Sequence, residues 1–114
     1  MSRRIQRINQ LVRKEMSKIL LKEIEVPEGT LATVTRAEIT PDLREGKVFV
    51  SVLPEKNKDK VIERLNRNIY FLQQKINKRL KMNPVPKLRF VEDKTMSQAG
   101  RIEEILAELK KEKE

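Results

Sequence analysis

The chain has 114 residues, a length that fits one domain with a single modest core. Its 26 lysines and arginines outnumber its 17 aspartates and glutamates, and the formal net charge of +9 favours a polyanionic partner, nucleic acid above all. Cysteine and histidine are both absent, which excludes disulfides, metal sites built on these residues and catalysis by imidazole.

A first helix is predicted from Arg3 to about Ile24, because apolar side chains recur along one side of it. Those that share an arc of roughly 80° are Ile5, Ile8, Val12, Met16 and Ile19. The opposite side carries the cations Arg3, Arg7, Lys14 and Lys18. This stripe faces either solvent alone or the phosphates of a nucleic acid. Pro27 and Gly29 then form a turn that ends the helix.

Two stretches rich in β-branched residues, Thr33 to Thr40 and Lys47 to Leu53, predict the strands of a hairpin. The turn between them, Pro41 to Gly46, leads us to expect a positive φ at Gly46. Alternation along the strands predicts one face toward the core, with Phe49 and Ser51 on the other. The predicted core-facing side chains are Thr33, Thr35, Ala37, Ile39, Val48, Val50 and Val52.

A long helix is predicted from about Lys58 to Met82, and its two sides differ in chemistry. An apolar arc about 100° wide is typical of a helix packed on a core, and it holds Val61, Ile62, Leu65, Ile69, Leu72, Ile76 and Leu80. Around Phe71 on the far side lie the cations Lys60, Arg64, Arg67, Lys75 and Lys78. Cations around an aromatic ring favour RNA as the ligand. Phe71 belongs instead to the core if the helix kinks and its second half turns inward.

The long helix ends at Asn83-Pro84-Val85-Pro86, because proline lacks the backbone donor that a helix needs. Lys87 to Glu92 follows as a third strand, with Leu88 and Phe90 inward. A last helix is predicted from about Ser97 to Lys111. The order α, β, β, α, β, α indicates an α+β domain with helices on one face of a three-stranded sheet.

The residues offer no catalytic set. Gly29, Gly46 and Gly100 are too far apart for a phosphate-binding loop. Glu92 and Asp93 are neighbours on a strand, so they point to opposite faces and cannot easily share a metal ion. No apolar run approaches the ~20 residues of a membrane span. We therefore expect a cytoplasmic binding protein that is not an enzyme and needs no cofactor or metal.

Three segments together resemble the bacterial ribosome-binding factor A family. They are RRIQRINQLVRKEMSKILLKEI near the start, TVTRAEITPDLREGKVFVSVL over Thr33 to Leu53, and VPKLRFVEDKTMSQAGRIEEIL over Val85 to Leu106. The resemblance implies a type II KH-like fold, α-β-β-α-α-β, in which a kink divides the long helix. Ordinary KH domains hold nucleic acid with a GxxG loop, whereas this family has an Ala-x-Gly kink. That kink aligns here with Asn68-Ile69-Tyr70, and asparagine tolerates unusual backbone angles.

The resemblance also implies an assembly factor that binds the small ribosomal subunit during late maturation and processing of its rRNA, with a role in growth in the cold. We expect a monomer whose residues 1–109 form a single KH-like domain, with a charged, frayed tail at 110–114. The candidate RNA-binding residues are Arg3, Arg7, Lys14, Lys18, Arg64, Arg67, Asn68, Lys75, Lys78 and Lys81. Two alternatives stay open: a general KH-type binder of single-stranded RNA or DNA, and a module whose last helix docks into a protein partner.

Overall fold

The computed structural model describes residues 3–94, so the last helix and the tail expected from the sequence lie outside the described residues. The elements follow the order α-β-β-α-α-β that the family resemblance implied. In chain order they are α1 (Arg3–Glu23), β1 (Leu31–Ile39), β2 (Glu45–Leu53), a short 3-10 turn (Glu55–Asn57), α2 (Lys58–Arg67), α3 (Ile69–Arg79) and β3 (Lys87–Glu92).

The predicted long helix is divided into α2 and α3 at Asn68. This residue has φ −98° and ψ 18°, outside helical geometry. Its backbone N–H and its side-chain amide both donate to the carbonyl of Arg64, at 3.1 and 2.8 Å. The predicted helix end at Met82 was wrong by three residues, because the backbone becomes extended at Leu80 and that side chain is buried in the core.

The three strands form one sheet in the order β1-β2-β3, with β1 antiparallel to β2 and β2 parallel to β3. A parallel pair needs a crossover connection, which α2 and α3 supply. α1 packs on β1 and α3, while α2 packs on β2 and β3. Side chains buried between the helices and the sheet include Val12, Met16, Ile19, Val34, Val48, Val50, Val61, Leu65, Leu72, Ile76, Leu88 and Phe90.

The first half of β1 departs from the predicted alternation. Thr33 is exposed and Thr35 only half-buried, whereas Val34 is buried, so the placement of the two threonines in the core was wrong. The pairing register shifts between Val34 and Arg36, which leaves Thr35 as the extra residue of a β-bulge. One extra residue reverses which side chains face the core. The later core-facing positions are confirmed: Ala37, Ile39, Val48, Val50 and Val52.

The prediction of a positive φ at Gly46 was also wrong. The residue of the β1–β2 turn with a positive φ is Leu43, at 62°. Its N–H donates to the carbonyl of Thr40 at 2.9 Å, which closes the turn. Gly46 is needed for close packing instead. A Cβ there would lie 2.9 Å from Cδ2 of Leu88 and still closer to the side chain of Ile39.

Candidate nucleic-acid interface

Two amide side chains fasten the helix pair to the edge strand β3. Asn66 accepts a hydrogen bond from the N–H of Phe90 and donates one to its carbonyl, both at 2.9 Å. Gln73 accepts from the N–H of Leu88 at 2.9 Å and donates to the carbonyl of Pro86 at 3.0 Å. These bonds satisfy backbone groups at the edge of the sheet. They also set the orientation of α2 and α3, whose far sides point away from the sheet.

Along the line where α1 and α3 meet, cations and glutamates alternate, and we term this line the seam. Arg79 of α3 donates to the carboxylate of Glu15 on α1 at 3.2 Å, and Lys18 Nζ lies 3.7 Å from the same side chain. Lys75 Nζ lies 3.6 Å from a carboxylate oxygen of Glu23. The hydrogen bond from Arg79 holds the pKa of Glu15 below its ordinary value. The seam therefore carries charges that neutralise one another across two helices.

Three of the predicted RNA-binding residues lie next to the kink and have partners inside the protein. Arg67 pairs with Glu63 one turn earlier on α2, at 2.5 Å. Arg64 Nη1 donates to the carbonyl of Glu25 at 2.6 Å, just beyond the end of α1. The side-chain amide of Asn68 donates a hydrogen bond to the carbonyl of Arg64 in the last turn of α2. These three side chains shape the kink region, and contact with RNA would have to compete with these bonds.

Five predicted RNA-binding residues lack such a partner. They are exposed and make no ion pair within residues 3–94: Arg3, Arg7, Lys14, Lys78 and Lys81. They lie on α1, on α3 and just after α3. Because α1 packs against α3, the two sets of cations predicted from distant segments lie on adjoining helices.

The two aromatic residues that follow the kink are exposed. Phe71 is 42% exposed and Tyr70 77%. Lys75 Nζ lies 5.3 Å from the centre of the Phe71 ring, within the range of a cation–π contact. Of the two alternatives for Phe71, the exposed position is confirmed, and Lys75 is the predicted cation that lies against its ring. Exposed rings beside cations can stack on unpaired bases.

At the end of the molecule where α1 begins, the structure adds two arginines that sequence reasoning missed. Arg4 and Arg44 join Arg7 and Lys81 around Met82, and we term this group the end pocket. Two adjoining cavities of about 520 and 380 Å³ share three of these lining residues. The arginine in the β1–β2 turn carries no helical periodicity, so no pattern in the sequence indicates that it meets α1.

Two further features bear on function, namely metal ligands and membrane-spanning helices. Within residues 3–94 no group of three acidic side chains is placed to hold a metal ion. Over the same residues, no helix combines the length and the apolar character that crossing a membrane requires.

Comparison with known proteins identifies the family. Residues 4–106 match the family model described as ribosome-binding factor A. The ribosome-binding factor A of Thermodesulfovibrio yellowstonii is 35% identical over 112 residues, which cover 98% of this chain and 95% of the relative.

Solved structures agree with this assignment at the level of the fold. The crystal structure of ribosome-binding factor A from Thermus thermophilus is similar with a TM-score of 0.66 at 18% identity, over 77% of this chain and 94% of that one. A homology model of the Thermus factor, fitted into the cryo-EM map of its complex with the 30S particle, is similar with a TM-score of 0.62 at 20% identity. The similarity covers 73% of this chain and 88% of that one. The described residues thus have the KH-like fold of these structures. Matched along almost its whole length, the chain belongs to the ribosome-binding factor A family.

Proposed function

We propose that this protein is a non-enzymatic assembly factor that binds the small ribosomal subunit through its rRNA. Membership of the family supports this proposal, and so does the Thermus relative fitted into a 30S complex. The observation that carries it is the exposed side of α1 and α3, where cations from two distant segments lie on adjoining helices. Solubility alone would not require unpaired cations from distant segments to lie on two helices that pack against each other.

Electrostatic attraction both brings the protein to the RNA and orients it there. The net charge of +9 attracts the protein to polyanionic RNA over a distance set by the ionic strength. On contact, arginine and lysine side chains hydrogen-bond phosphate oxygens and fix the orientation of the protein. Lys14 and Lys78 bring unpaired charge to this surface, while the exposed rings of Tyr70 and Phe71 offer faces for unpaired bases.

We also propose the circumstances of binding, on the strength of the family resemblance. The protein acts as a monomer in the cytoplasm, late in maturation of the subunit, assists processing of its rRNA and matters most for growth in the cold. A strain that lacks the protein should accumulate unprocessed small-subunit rRNA and slow its growth more at low temperature than at its optimum. Equal slowing at both temperatures would contradict the role in the cold.

Sedimentation of the full chain with purified ribosomal particles tests the binding. The protein should travel with small subunits and not with large ones. Because each neutralised phosphate contributes about 0.7 to 0.9 to the slope of log affinity against log salt, about five contacts predict a slope near −4. A slope shallower than about −1 would overturn the electrostatic account.

Two controls separate the alternative functions. Short single-stranded oligonucleotides should bind much more weakly than small subunits, since equal affinity would indicate a general KH-type binder. Nuclease treatment during a pull-down should release the partner, since a protein docked on the last helix would survive it. We expect no turnover of ATP or GTP, because the chain has no phosphate-binding loop and no imidazole base.

A further inference from the structure

In the end pocket, cations from three separate segments surround an apolar floor. α1 supplies Arg4 and Arg7, the β1–β2 turn supplies Arg44, and the segment after α3 supplies Lys81. The floor consists of Ile8, Leu11 and Met82. Leu11 is 43% exposed, so part of this apolar surface is open to solvent. The pocket thus combines positive charge with an apolar contact surface.

The end pocket carries an excess of positive charge. None of its four cations makes an ion pair within residues 3–94, in contrast to the cations of the seam. One carboxylate, Asp42, lines the pocket, and it accepts hydrogen bonds from the Thr40 hydroxyl at 2.6 Å and the Arg44 N–H at 3.1 Å. The bond from Thr40 holds the pKa of Asp42 below its ordinary value. The cations still outnumber the anion, so a bound anion would relieve their mutual repulsion.

The turn that carries Arg44 is held in place from both sides. Leu43 adopts a positive φ, and its N–H donates to the carbonyl of Thr40 at 2.9 Å. The carbonyl of Arg44 accepts a hydrogen bond from the N–H of Lys87, at the start of β3, also at 2.9 Å. The backbone of the turn is therefore ordered before any ligand arrives, which lowers the entropic cost of binding.

We propose that the end pocket binds one unpaired nucleotide of rRNA, with its phosphates on the cations and its base against the apolar floor. This inference rests on the proposed function and names the part of the RNA that this end of the protein contacts. Bases inside a duplex are stacked and cannot present a face to a protein, whereas an unpaired base can. Guanidinium groups suit both halves of such a ligand, since they bond phosphate and stack on flat rings. Cavities of about 520 and 380 Å³ are within the size range of small-molecule sites.

A matched pair of variants tests the charge. Arg4→Gln with Arg44→Gln removes two cations from the end pocket. Lys22→Gln with Lys56→Gln removes the same charge from exposed positions on α1's last turn and beyond β2. If two phosphate contacts are lost, affinity for small subunits near 0.1 M salt should fall roughly 10- to 50-fold in the first variant. The control should lose less than about 3-fold, because it loses only long-range attraction.

The outcomes separate this inference from the proposed function. If the unsubstituted protein does not bind small subunits at all, both the proposed function and this inference are contradicted. If the parent binds and both variants bind alike, only the end pocket is overturned. Thermal melting of both variants should match the parent. If the first variant does not fold, Arg7→Gln with Lys81→Gln replaces it, because these two side chains line the same pocket without belonging to the turn.

Cross-linking tests the unpaired base. The chain has no cysteine, so Leu11→Cys can carry a single photoreactive group in the pocket, and Lys56→Cys can carry the same group far from it. On small subunits, the first should cross-link to unpaired nucleotides of rRNA, and the second should not label those nucleotides. Cross-links from the pocket only to base-paired rRNA, or only to ribosomal proteins, would overturn the inference.

Discussion

The cations of the seam and the unpaired cations on the same two helices differ in their partners and, we infer, in their roles. Lys75 and Arg79 each face a glutamate of α1, whereas Lys14 and Lys78 have no ion-pair partner in the described part of the chain. A paired cation must give up a carboxylate before it can contact a phosphate, and the loss offsets much of the gain. An unpaired cation loses only water and counterions. The unpaired group should therefore dominate RNA binding, while the seam mainly joins α1 to α3.

The largest expected effect comes from a substitution in the hydrophobic core, where α2 packs on the sheet. Leu65 is 1% exposed, and Leu65→Ala should lower the free energy of unfolding by about 2 to 5 kcal/mol, because it leaves a cavity beneath α2. Leu31→Ala is the control, since that side chain is 60% exposed and its loss should cost less than about 0.5 kcal/mol. Denaturant unfolding measures both. A similar loss in the two variants would mean that α2 is not seated as described.

The next largest effect should appear when the two groups of cations are removed separately. One variant combines Lys14→Gln, Lys78→Gln and Lys81→Gln, and its counterpart combines Lys18→Gln, Arg67→Gln and Lys75→Gln. Removing the unpaired set should reduce the salt slope of small-subunit binding by about 2.1 to 2.7, at about 0.7 to 0.9 for each of three lost contacts. Removing the paired set should change the slope by less than half as much.

Stability provides the control for those two triple variants. Each exposed ion pair contributes at most about 1 kcal/mol, so both should melt close to the parent, the paired set slightly lower. Equal changes in the salt slope would contradict the division of the surface into two roles.

The side of α2 that faces β3 should respond in stability alone. Asn66→Ala leaves the N–H and carbonyl of Phe90 without their side-chain partners and should cost about 1 to 3 kcal/mol. Gln74→Ala is the matched control, because it removes an exposed amide from α3. Chemical denaturation of the two variants gives the comparison. If Asn66→Ala unfolds at the same denaturant concentration as the control, the amide bonds to β3 contribute nothing to stability.

The smallest expected effect comes from Glu15, whose pairing with Arg79 should make the thermal stability depend on pH. Its pKa in the folded protein is below the ordinary value of 4.5, because Arg79 donates a hydrogen bond to it. The stabilisation is therefore present above pH 4.5 and disappears as the pH falls through the lowered pKa. Thermal melts should place the parent above Glu15→Gln at pH 7, and the two should converge in acid.

The same variant also changes the surface. In Glu15→Gln the carboxylate that pairs with Lys18 and Arg79 is lost, so these two cations join the unpaired group. Binding of Glu15→Gln to small subunits at pH 7 should then become somewhat tighter and steeper in its salt dependence. Weaker binding would show that the glutamate positions these cations for RNA.

Periodicity was enough to predict the elements that bury one continuous side. The apolar stripe that includes Leu65, Leu72 and Ile76 is buried as expected, and β3 has the predicted bounds. The kink could not be predicted in this way, because the helical spacing of apolar residues continues across Asn68. The resemblance to a known family was needed to expect two helices in place of one.

Features that depend on neighbours distant in the chain escaped the sequence analysis. The bulge at Thr35 reverses the alternation of β1, and no local pattern marks it. Gly46 was assigned to the turn conformation, but the contacts that require it come from Ile39 of β1 and Leu88 of β3. Lys75 and Arg79 pair with glutamates of another helix, so a helical wheel could not tell these two cations from the unpaired ones.

The amide bonds to β3 also bear on how this protein behaves when it is concentrated. An exposed sheet edge can recruit a strand from another molecule and begin aggregation. The N–H groups of Leu88 and Phe90 at one edge are already bound by helix side chains. At the opposite edge, Asn9 accepts the N–H of Ile39 at 2.9 Å. At these positions neither edge offers a free N–H to a foreign strand, so an added strand would lose these hydrogen bonds.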